Sequence, residues 1–425
     1  MSREMKDSGV AWIGDIPKGW EIHKGKHVLA IQKRSIRETD DVITCFRDGE
    51  VVLRSERRTQ GFTFSDKEIG YQGINKGDIV IHGMDGFAGA IGISKSTGKG
   101  SPVLIVCNPF QNDNSEYLVQ YLHVLAQTNV FLALATGVRE RSCDLRWNKI
   151  TDLPFVIPPQ SEQNLIMEFL NTKCAEIDNL ISLLEEMIRE LKAYKQSVIT
   201  EAVCKGLNKN APMKDSGIEW IGEIPRDWEI CRLKNHIIFN PKHKNEKGLC
   251  NDDIVSFMPM ECLRTGNIEP KSTTYQIAQA YTPFENDDIV MAKVTPCFEN
   301  GNIAIAYDLL NGYGFGSSEI FVFRCNNELS NTFLYYYLQS NFAKAIGVSS
   351  MTGTGGLKRV NPTTMNNIQL LFPPLTEQQT IANYLDEKCG NIEGLIAIKQ
   401  AKIDELKEFK KSLIYEYVTG KKSVI

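Results

Sequence analysis

The sequence lacks the residue spacings of a metal site. Its 11 cysteines form no Cys-x-x-Cys pair, and only six histidines accompany them. Zinc sites combine these residue types at short, fixed spacings, so zinc binding is not expected. Scattered cysteines in a chain without a secretion signal are typical of reduced thiols that pack as small apolar side chains.

Long apolar runs are missing as well. No stretch approaches the roughly 18 to 20 apolar residues that a membrane span needs. The N-terminal sequence MSREMKDSGVAWIG lacks the basic, apolar and small-residue order of a secretory signal. We therefore expect a cytoplasmic protein without a membrane partner. At 425 residues, the chain is long enough to form more than one hydrophobic core.

An excess of basic residues is also absent. The chain has 48 Lys and Arg against 52 Asp and Glu, a formal net charge of −4, and no segment is strongly basic. Proteins that bind nucleic acid mainly by charge carry such segments. Any contact with DNA must therefore come from a local patch or be helped by the charge of a partner.

The motifs of DNA-modifying enzymes are not found. An adenine methyltransferase would carry an Asn/Asp-Pro-Pro-aromatic tetrapeptide and a glycine-rich cofactor loop, and Cys107-Asn108-Pro109-Phe110 lacks the second proline. The segment GISKSTGKGS at 92–101 misses the spacing of a phosphate-binding loop. Its Lys95 and Lys99 could instead contact a DNA backbone, and a plain surface hairpin is an equally good interpretation.

What the sequence does contain is an internal duplication. Residues 6–21, KDSGVAWIGDIPKGWE, and residues 214–229, KDSGIEWIGEIPRDWE, are identical at 11 of 16 positions. We call these two segments the frame motifs. A second similar pair covers residues 157–203 and 372–418, which begin IPPQSEQ and FPPLTEQ. Such a repeat fixes the architecture before any secondary structure is assigned.

The centres of the two halves have diverged while their ends have not. This distribution favours a shared scaffold that carries two different binding surfaces, although drift under relaxed constraint is the alternative. We predict four segments: a first recognition domain at 1–157, a long helix at 158–207, a second recognition domain at 208–372 and a second long helix at 373–425.

Apolar residues in the two long segments are spaced alternately four and three residues apart, which indicates a coiled-coil seam. Lysine recurs in this seam at Lys195 and Lys410. Two such helices, one per half, are expected to pair antiparallel by pseudo-twofold symmetry. Ser161 and Thr376 are expected to cap their first turns. The apolar seam residues are Leu170, Ile177, Ile181, Leu184, Ile188, Leu191, Leu385, Ile392, Ile396, Ile403, Leu406 and Leu413.

The central regions, 22–156 and 230–371, are predicted to be mixed α/β (α+β) domains. They contain short β-branched and aromatic runs such as DIVIHG, VLIVC, DIVMA and EIFVFRC. Amphipathic stretches at 117–127 and 331–339 are predicted to form short helices against a sheet.

Candidate DNA contacts lie mainly in two loops just before the long helices, ATGVRERSCDLRWNKI at 135–150 and MTGTGGLKRVNPTTM at 351–365. Both begin with Thr-Gly and then become basic, and their cations could bind phosphates or guanine edges, or be ordinary surface charge. The loop candidates are Arg139, Arg141, Arg146, Lys149, Lys358 and Arg359. A further cluster consists of Arg54, Arg57 and Arg58, interleaved with Glu50 and Glu56.

The frame motifs, the PPQSEQ and PPLTEQ helix starts and the SVITEAVCKG and SLIYEYVTGK ends together resemble the specificity subunit of type I restriction-modification enzymes. The order of variable region, helix, variable region, helix is also the order in that family. One departure is that Gly206 is displaced by one position relative to Gly420, which leaves the equivalence of the helix ends open.

The resemblance implies a non-catalytic subunit that recognises double-stranded DNA. Each recognition domain would read half of a bipartite, asymmetric site, and the helices would set the spacer and dock two modification subunits. Those partners would use S-adenosylmethionine for adenine N6-methylation, and restriction/translocation subunits would use ATP and Mg²⁺. The alternatives are a coiled-coil adaptor that reads no sequence, and a methyltransferase or nuclease with an unfamiliar active site.

Overall fold

The computed structural model describes residues 3–57, 69–134, 145–218, 221–244, 248–354 and 356–424. The chain divides into two compact units. Unit 1 consists of Met1–Leu184 and Ala401–Ile425, and unit 2 consists of Glu185–Gln400. Each unit therefore combines one recognition domain with segments of both long helices.

Unit 1 contains short strands and helices, followed by the part of the first long helix that extends to Leu184. The strands are β1 (Met5–Asp7), β2 (Asp15–Pro17), β3 (Glu21–Lys24), β4 (Leu29–Ile31), β5 (Ile43–Cys45), β6 (Val51–Leu53), β7 (Gln72–Ile74), β8 (Ile79–His82), β9 (Ile91–Ile93), β10 (Gly98–Gly100), β11 (Leu104–Pro109) and β12 (Pro154–Ile157). The helices are α1 (Arg54–Arg57), α2 (Ser115–Gln127), α3 (Val130–Ala133), α4 (Trp147–Asp152) and α5 (Gln160–Lys205), with 3-10 turns at Gly25–His27 and Gly86–Ala88.

The centre of unit 1 is an antiparallel sheet in the order β4-β11-β8-β9. Side chains alternate across its two faces, as strand geometry requires. Ile79 and Ile81 enter the core shared with α2, whereas Val80 packs in a second core on the other face. The strand pairs β1–β2, β3–β12, β5–β6 and β7–β10 complete the unit.

Unit 2 repeats this plan and adds to it. Its strands are β13 (Met213–Asp215), β14 (Glu223–Pro225), β15 (Glu229–Arg232), β16 (Ile237–Phe239), β17 (Ile254–Met258), β18 (Leu263–Arg264), β19 (Asn267–Ile268), β20 (Lys271–Thr274), β21 (Thr282–Glu285), β22 (Ile289–Ala292), β23 (Ile303–Ile305), β24 (Tyr313–Gly316), β25 (Ile320–Cys325) and β26 (Gln369–Phe372). The helices are α6 (Tyr275–Ala278), α7 (Asn331–Gln339), α8 (Asn341–Ser349), α9 (Pro362–Asn366) and α10 (Leu375–Val418), with 3-10 turns at Leu233–Asn235, Met260–Cys262 and Leu310–Gly312.

The sheet β16-β25-β22-β23 of unit 2 corresponds to β4-β11-β8-β9 of unit 1. Ile289 and Met291 face one core, and Val290 and Ala292 face the other. Unit 2 also has a second four-stranded sheet, β20-β17-β24-β21, in which β17 and β24 are parallel. The predicted mixed α/β fold with a duplicated frame is confirmed, and the helices predicted at 117–127 and 331–339 correspond to α2 and α7.

The long helices contain 46 and 44 residues, and the predicted seam residues are buried or half-buried along both of them. In unit 1, Lys410 bonds both carboxylate oxygens of Asp178 at 2.7 Å, and Phe169 packs against Tyr417. In unit 2, Lys195 pairs with Glu393. From Phe169 to Asp178 along α5, the contacted residue moves from Tyr417 back to Lys410 along α10, so the two helices run antiparallel. Among the described residues, no helix has the length and apolar character to cross a bilayer.

The start of each long helix differs from the prediction. The helices begin at Gln160 and Leu375, so Ser161 and Thr376 lie inside the first turn instead of capping it. The backbone N–H groups of Gln163 and Gln378 donate to the carbonyls of the preceding prolines. The first turn is therefore satisfied by Pro159 and Pro374.

The Glu-Gln pair that follows has a second role that sequence inspection missed. Glu162 accepts a hydrogen bond from the indole of Trp20 at 2.9 Å, and Glu377 accepts one from Trp228 at 3.0 Å. Gln163 accepts from the backbone of Asn114, the residue before α2. The start of each long helix is thus bonded to the recognition domain that precedes it.

The glycines that follow the two long helices have the same role, although α5 ends directly before Gly206 and α10 ends two residues before Gly420. Gly206 and Gly420 both adopt a positive φ, which favours glycine after a helix. A side chain at Gly206 would contact Trp228, and one at Gly420 would contact Trp20. Each frame motif therefore receives the start of one long helix and the end of the other.

The described cysteines are unpaired thiols. Burial raises the pKa of Cys45 to about 12 and the pKa of Cys231 to about 11. Of the ten that the structure describes, only Cys250 is exposed. This agrees with the prediction that most of these thiols pack as small apolar residues.

Candidate DNA interface

The basic loops before the two long helices are attached to their domains in the same way. In unit 1 the backbone N–H of Leu145 donates to the carbonyl of Gly83 at 2.9 Å. In unit 2 the N–H of Val360 donates to the carbonyl of Lys293 at 2.8 Å. Gly83 and Lys293 directly follow the central strands β8 and β22, so the described end of each basic loop lies beside the end of a central strand.

The loop of unit 2 is closed by backbone hydrogen bonds. Thr352 and Arg359 exchange N–H···O bonds of 3.0 and 2.8 Å, and Arg359 forms a second bridge with Val294. The hydroxyl of Thr295 donates to the carbonyl of Gly356 and accepts from the N–H of Lys358. The segment therefore has a defined backbone on which its cations are presented.

Arg359 is held by a carboxylate that the sequence interpretation did not include. Its Nε and Nη2 donate to Glu319 at 2.8 to 3.2 Å. These hydrogen bonds are the main reason that the pKa of Glu319 is lowered and the pKa of Arg359 raised. The charge of Lys293 also lowers the pKa of Glu319.

Lys293 joins this group although it was not predicted, whereas Lys358 was predicted and is exposed. The position of Lys293 could have been found from the sequence, because this residue directly follows the DIVMA strand. Lys293 and Arg359 thus form a small cationic surface beside one acid, Glu319, and the exposed Lys358 is next to Arg359 in the chain. A surface of this kind can bind phosphates through its lysines and bases through its arginine.

In unit 1, Arg146 precedes α4 and is exposed, and Lys149 lies half-buried within α4. Arg139 and Arg141 lie outside the described residues, as does Arg58 of the second cluster. The two described loop cations of unit 1 remain candidates by their equivalence to the loop of unit 2.

The second cluster is organised around acidic side chains. Arg57 pairs with Asp48 and with Glu50, and it lies 4.3 Å from the ring centre of Phe46. Lys95 pairs with Glu50 at 2.8 Å, so the structure brings two predicted cations together at one carboxylate. The hydrogen bonds from Arg57 lower the pKa of Asp48. These charges are largely neutralised within the domain, which weakens the case for phosphate binding.

Two further residues of this group differ in accessibility. Arg54 is half-buried and its Nε donates to Thr44 at 3.3 Å. Lys99 lies in β10 with only 8% of its surface exposed. We therefore remove Lys99 from the candidate contacts, because a phosphate could not reach it without a rearrangement of the strand.

Residues 225–408 match the family model for the type I restriction modification DNA specificity domain. This half of the chain is therefore similar to type I DNA specificity domains. Lys293, Glu319, Lys358 and Arg359 all fall within it, and its range ends in the second long helix.

Similar proteins extend this likeness beyond the specificity domain. A putative type I restriction enzyme MjaX specificity subunit from Methanocaldococcus jannaschii is 26% identical over 96% of this chain and 95% of its own length. The EcoAI specificity subunit of Escherichia coli is 34% identical, but over 46% of this chain and 33% of that protein. The resemblance deduced from the sequence is confirmed.

Solved structures show the same fold. A chain from a study of complex assembly and conformational transition in the type I R-M system has a TM-score of 0.70 at 13% identity, covering 95% of this chain and 98% of that one. The HsdS subunit of Thermoanaerobacter tengcongensis has a TM-score of 0.50 at 14% identity, with the same coverage. At these identities the likeness concerns the fold alone.

Proposed function

We propose that this chain is the DNA sequence-specificity subunit of a type I restriction-modification complex, with one half-site read by each recognition domain. The observation that carries the proposal is a duplicated frame around unlike surfaces. The central sheets of the two units have the same strand order, whereas unit 2 has the sheet β20-β17-β24-β21 where unit 1 has the pairs β5–β6 and β7–β10. Two different surfaces on one scaffold suit the two unlike halves of an asymmetric DNA site.

The outer faces of the long helices suit two copies of one partner. Unit 1 exposes Leu180, Leu183 and Phe409, and unit 2 exposes Leu395, Ile398 and Tyr194. Leu180 corresponds to Leu395, Leu183 to Ile398 and Tyr194 to Phe409. The members of each pair are 215 residues apart, so they occupy the same position of the repeat. Residues three apart on a helix, such as Leu180 and Leu183, lie side by side, and a contiguous exposed apolar patch is typical of a protein interface. We assign them to two modification subunits, which would supply S-adenosylmethionine-dependent adenine N6-methylation, while restriction subunits would supply ATP- and Mg²⁺-dependent steps.

The proposal is tested by methylation in a reconstituted complex. The chain is combined with the modification subunits of its own system and S-adenosylmethionine, and the methylated adenines of a random DNA library are mapped. We expect one bipartite motif with a fixed spacer, and no S-adenosylmethionine binding by the isolated chain. Methylation without a defined motif would support an adaptor, and cofactor binding by the chain alone would support an enzyme.

A further inference from the structure

Arg359 is held in place through both its backbone and its side chain. Its backbone is paired with Thr352 on one side and with Val294 on the other. Its side chain is held by Glu319, yet 47% of that side chain remains exposed. Side chains held in this way by both backbone and neighbouring groups suit precise recognition, because little freedom is lost on binding.

The geometry of the ion pair leaves one edge of the guanidinium available. Glu319 accepts from Nε and Nη2. Among the described residues, none accepts from Nη1. The terminal Nη1–Nη2 edge therefore keeps N–H groups directed away from Glu319. Two parallel N–H donors match O6 and N7 of guanine in the major groove, which is the commonest specific contact between a protein and a base.

Charge favours a base over a phosphate at this position. A phosphate on Arg359 would approach the ionised carboxylate of Glu319, whose lowered pKa keeps it charged at neutral pH, and like charges repel at such distances. A guanine edge carries no net charge and meets no such penalty. Lys293, whose charge acts on Glu319, and the exposed Lys358 of the same loop as Arg359 remain available for phosphates.

We propose that Arg359 reads a guanine in the half-site of the second recognition domain, and that Glu319 is the positioning residue that orients its guanidinium. This inference rests on the proposed function, since it assigns a base to the interface that the function requires. It assigns Lys358 a different role, which is contact with the DNA backbone.

The test uses the reconstituted complex with Arg359→Lys, Arg359→Ala, Glu319→Gln and Lys358→Ala variants, each assayed on a library that varies every position of both half-sites. Arg359→Lys keeps the charge but loses the fork, so we expect discrimination at one G·C pair of one half-site to fall about 5- to 150-fold, the range of a bidentate contact. Arg359→Ala is expected to do the same, and Glu319→Gln to relax the same position more weakly. The other half-site should be unchanged.

Two controls separate this from general effects of charge and folding. Glu261→Gln removes one acid from the exposed pair of Glu261 with Lys271 in the same unit, and it should leave the motif intact. Lys358→Ala should weaken methylation of all sequences alike and lower the salt dependence of DNA binding. Thermal unfolding of each variant identifies any that fail to fold, and Arg359→Lys is the variant least expected to do so.

The possible outcomes separate a failure of this inference from a failure of the proposed function. If Arg359→Lys keeps the full motif while Arg359→Ala weakens all sequences uniformly, Arg359 contacts phosphate and the inference is overturned, although the subunit still reads DNA. An unchanged motif in both variants also overturns it. If the unsubstituted complex has no motif, the proposed function fails first.

Discussion

Single residues of the frame motifs connect each domain to both long helices. Trp20 and Trp228 are fully buried, and each indole donates to the glutamate at the start of a long helix. The two sites differ in one respect, because Glu162 is also paired with Arg3 at 2.5 Å. Removing one hydrogen bond destabilises the fold less when the carboxylate keeps a second partner.

This difference predicts unequal effects of the same substitution. Trp228→Phe should destabilise the chain by about 1 to 3 kcal/mol, the cost of leaving a part-buried acceptor unsatisfied. Trp20→Phe should cost less, because Arg3 still satisfies Glu162. Urea unfolding of the two variants checks the order. Equal losses would mean that ring packing, and not the hydrogen bond, dominates both sites.

Among the elements, the long helices depend on polar positions within an apolar seam. Lys195 meets Glu393 and Lys410 meets Asp178, so the same pair occurs twice in the repeat. A regular apolar seam tolerates slips of seven residues, and polar pairs within it specify the register. The seam lysines are therefore expected to select one alignment of the helices.

The sequence supports this selection of one alignment, because each shifted alignment places only one of the two seam lysines opposite a carboxylate. Sliding one helix by seven residues in one direction would place Lys195 opposite Asp386 but Lys410 opposite Asn171. Sliding it in the other direction would place Lys195 opposite Gln400 and Lys410 opposite Glu185. Only the observed register gives both lysines a carboxylate.

Charge exchange tests the role of this pair in unit 2. Lys195→Glu places two acids together and should lower stability by about 1 kcal/mol, and adding Glu393→Lys should restore most of that loss. Thermal unfolding of the two single variants and the double variant completes the cycle. The pair has no specific role if the double variant is no more stable than the sum of the single effects predicts.

These elements also show what a sequence can predict. The seam, α2, α7 and the central strands follow from periodicity, which is local information. The sheet containing the parallel pair β17–β24 was not predicted, because its partners Ser256 and Gly314 are far apart in the chain. The ion pair of Arg359 with Glu319 was not predicted for the same reason. These residues are 40 positions apart in the sequence, and only folding brings them together. Glu162 was assigned only to its helix because its partner Trp20 lies 142 residues away.

For the whole molecule, the proposed spacer function depends on the lengths of two antiparallel helices. A heptad inserted after 192 in α5 therefore needs an equivalent insertion after 407 in α10. Seven residues add about 10 Å of helix, which corresponds to about 3 base pairs. Methylation mapping should show a longer spacer with both half-sites unchanged, and a changed half-site would contradict the separation of these roles.

Each recognition domain can be exchanged as a whole because its two ends lie next to each other. Ile230 and Leu371 are direct partners in the antiparallel pair β15–β26, and Ile22 and Val156 are partners in β3–β12. Each central region therefore leaves and returns to the frame at one point. An exchange of 230–371 would retain Trp228, Gly206 and Glu377, which connect the frame to the long helices.

Replacing 230–371 with the corresponding segment of another specificity subunit should change one half-site of the methylated motif and leave the other half-site and the spacer as they were. Replacing 22–156 is the matched experiment, and it should change the opposite half-site. Mapping of methylated adenines reads both results directly. If either exchange altered both half-sites, the two domains would share one reading surface, and the independence that the duplicated frame implies would be lost.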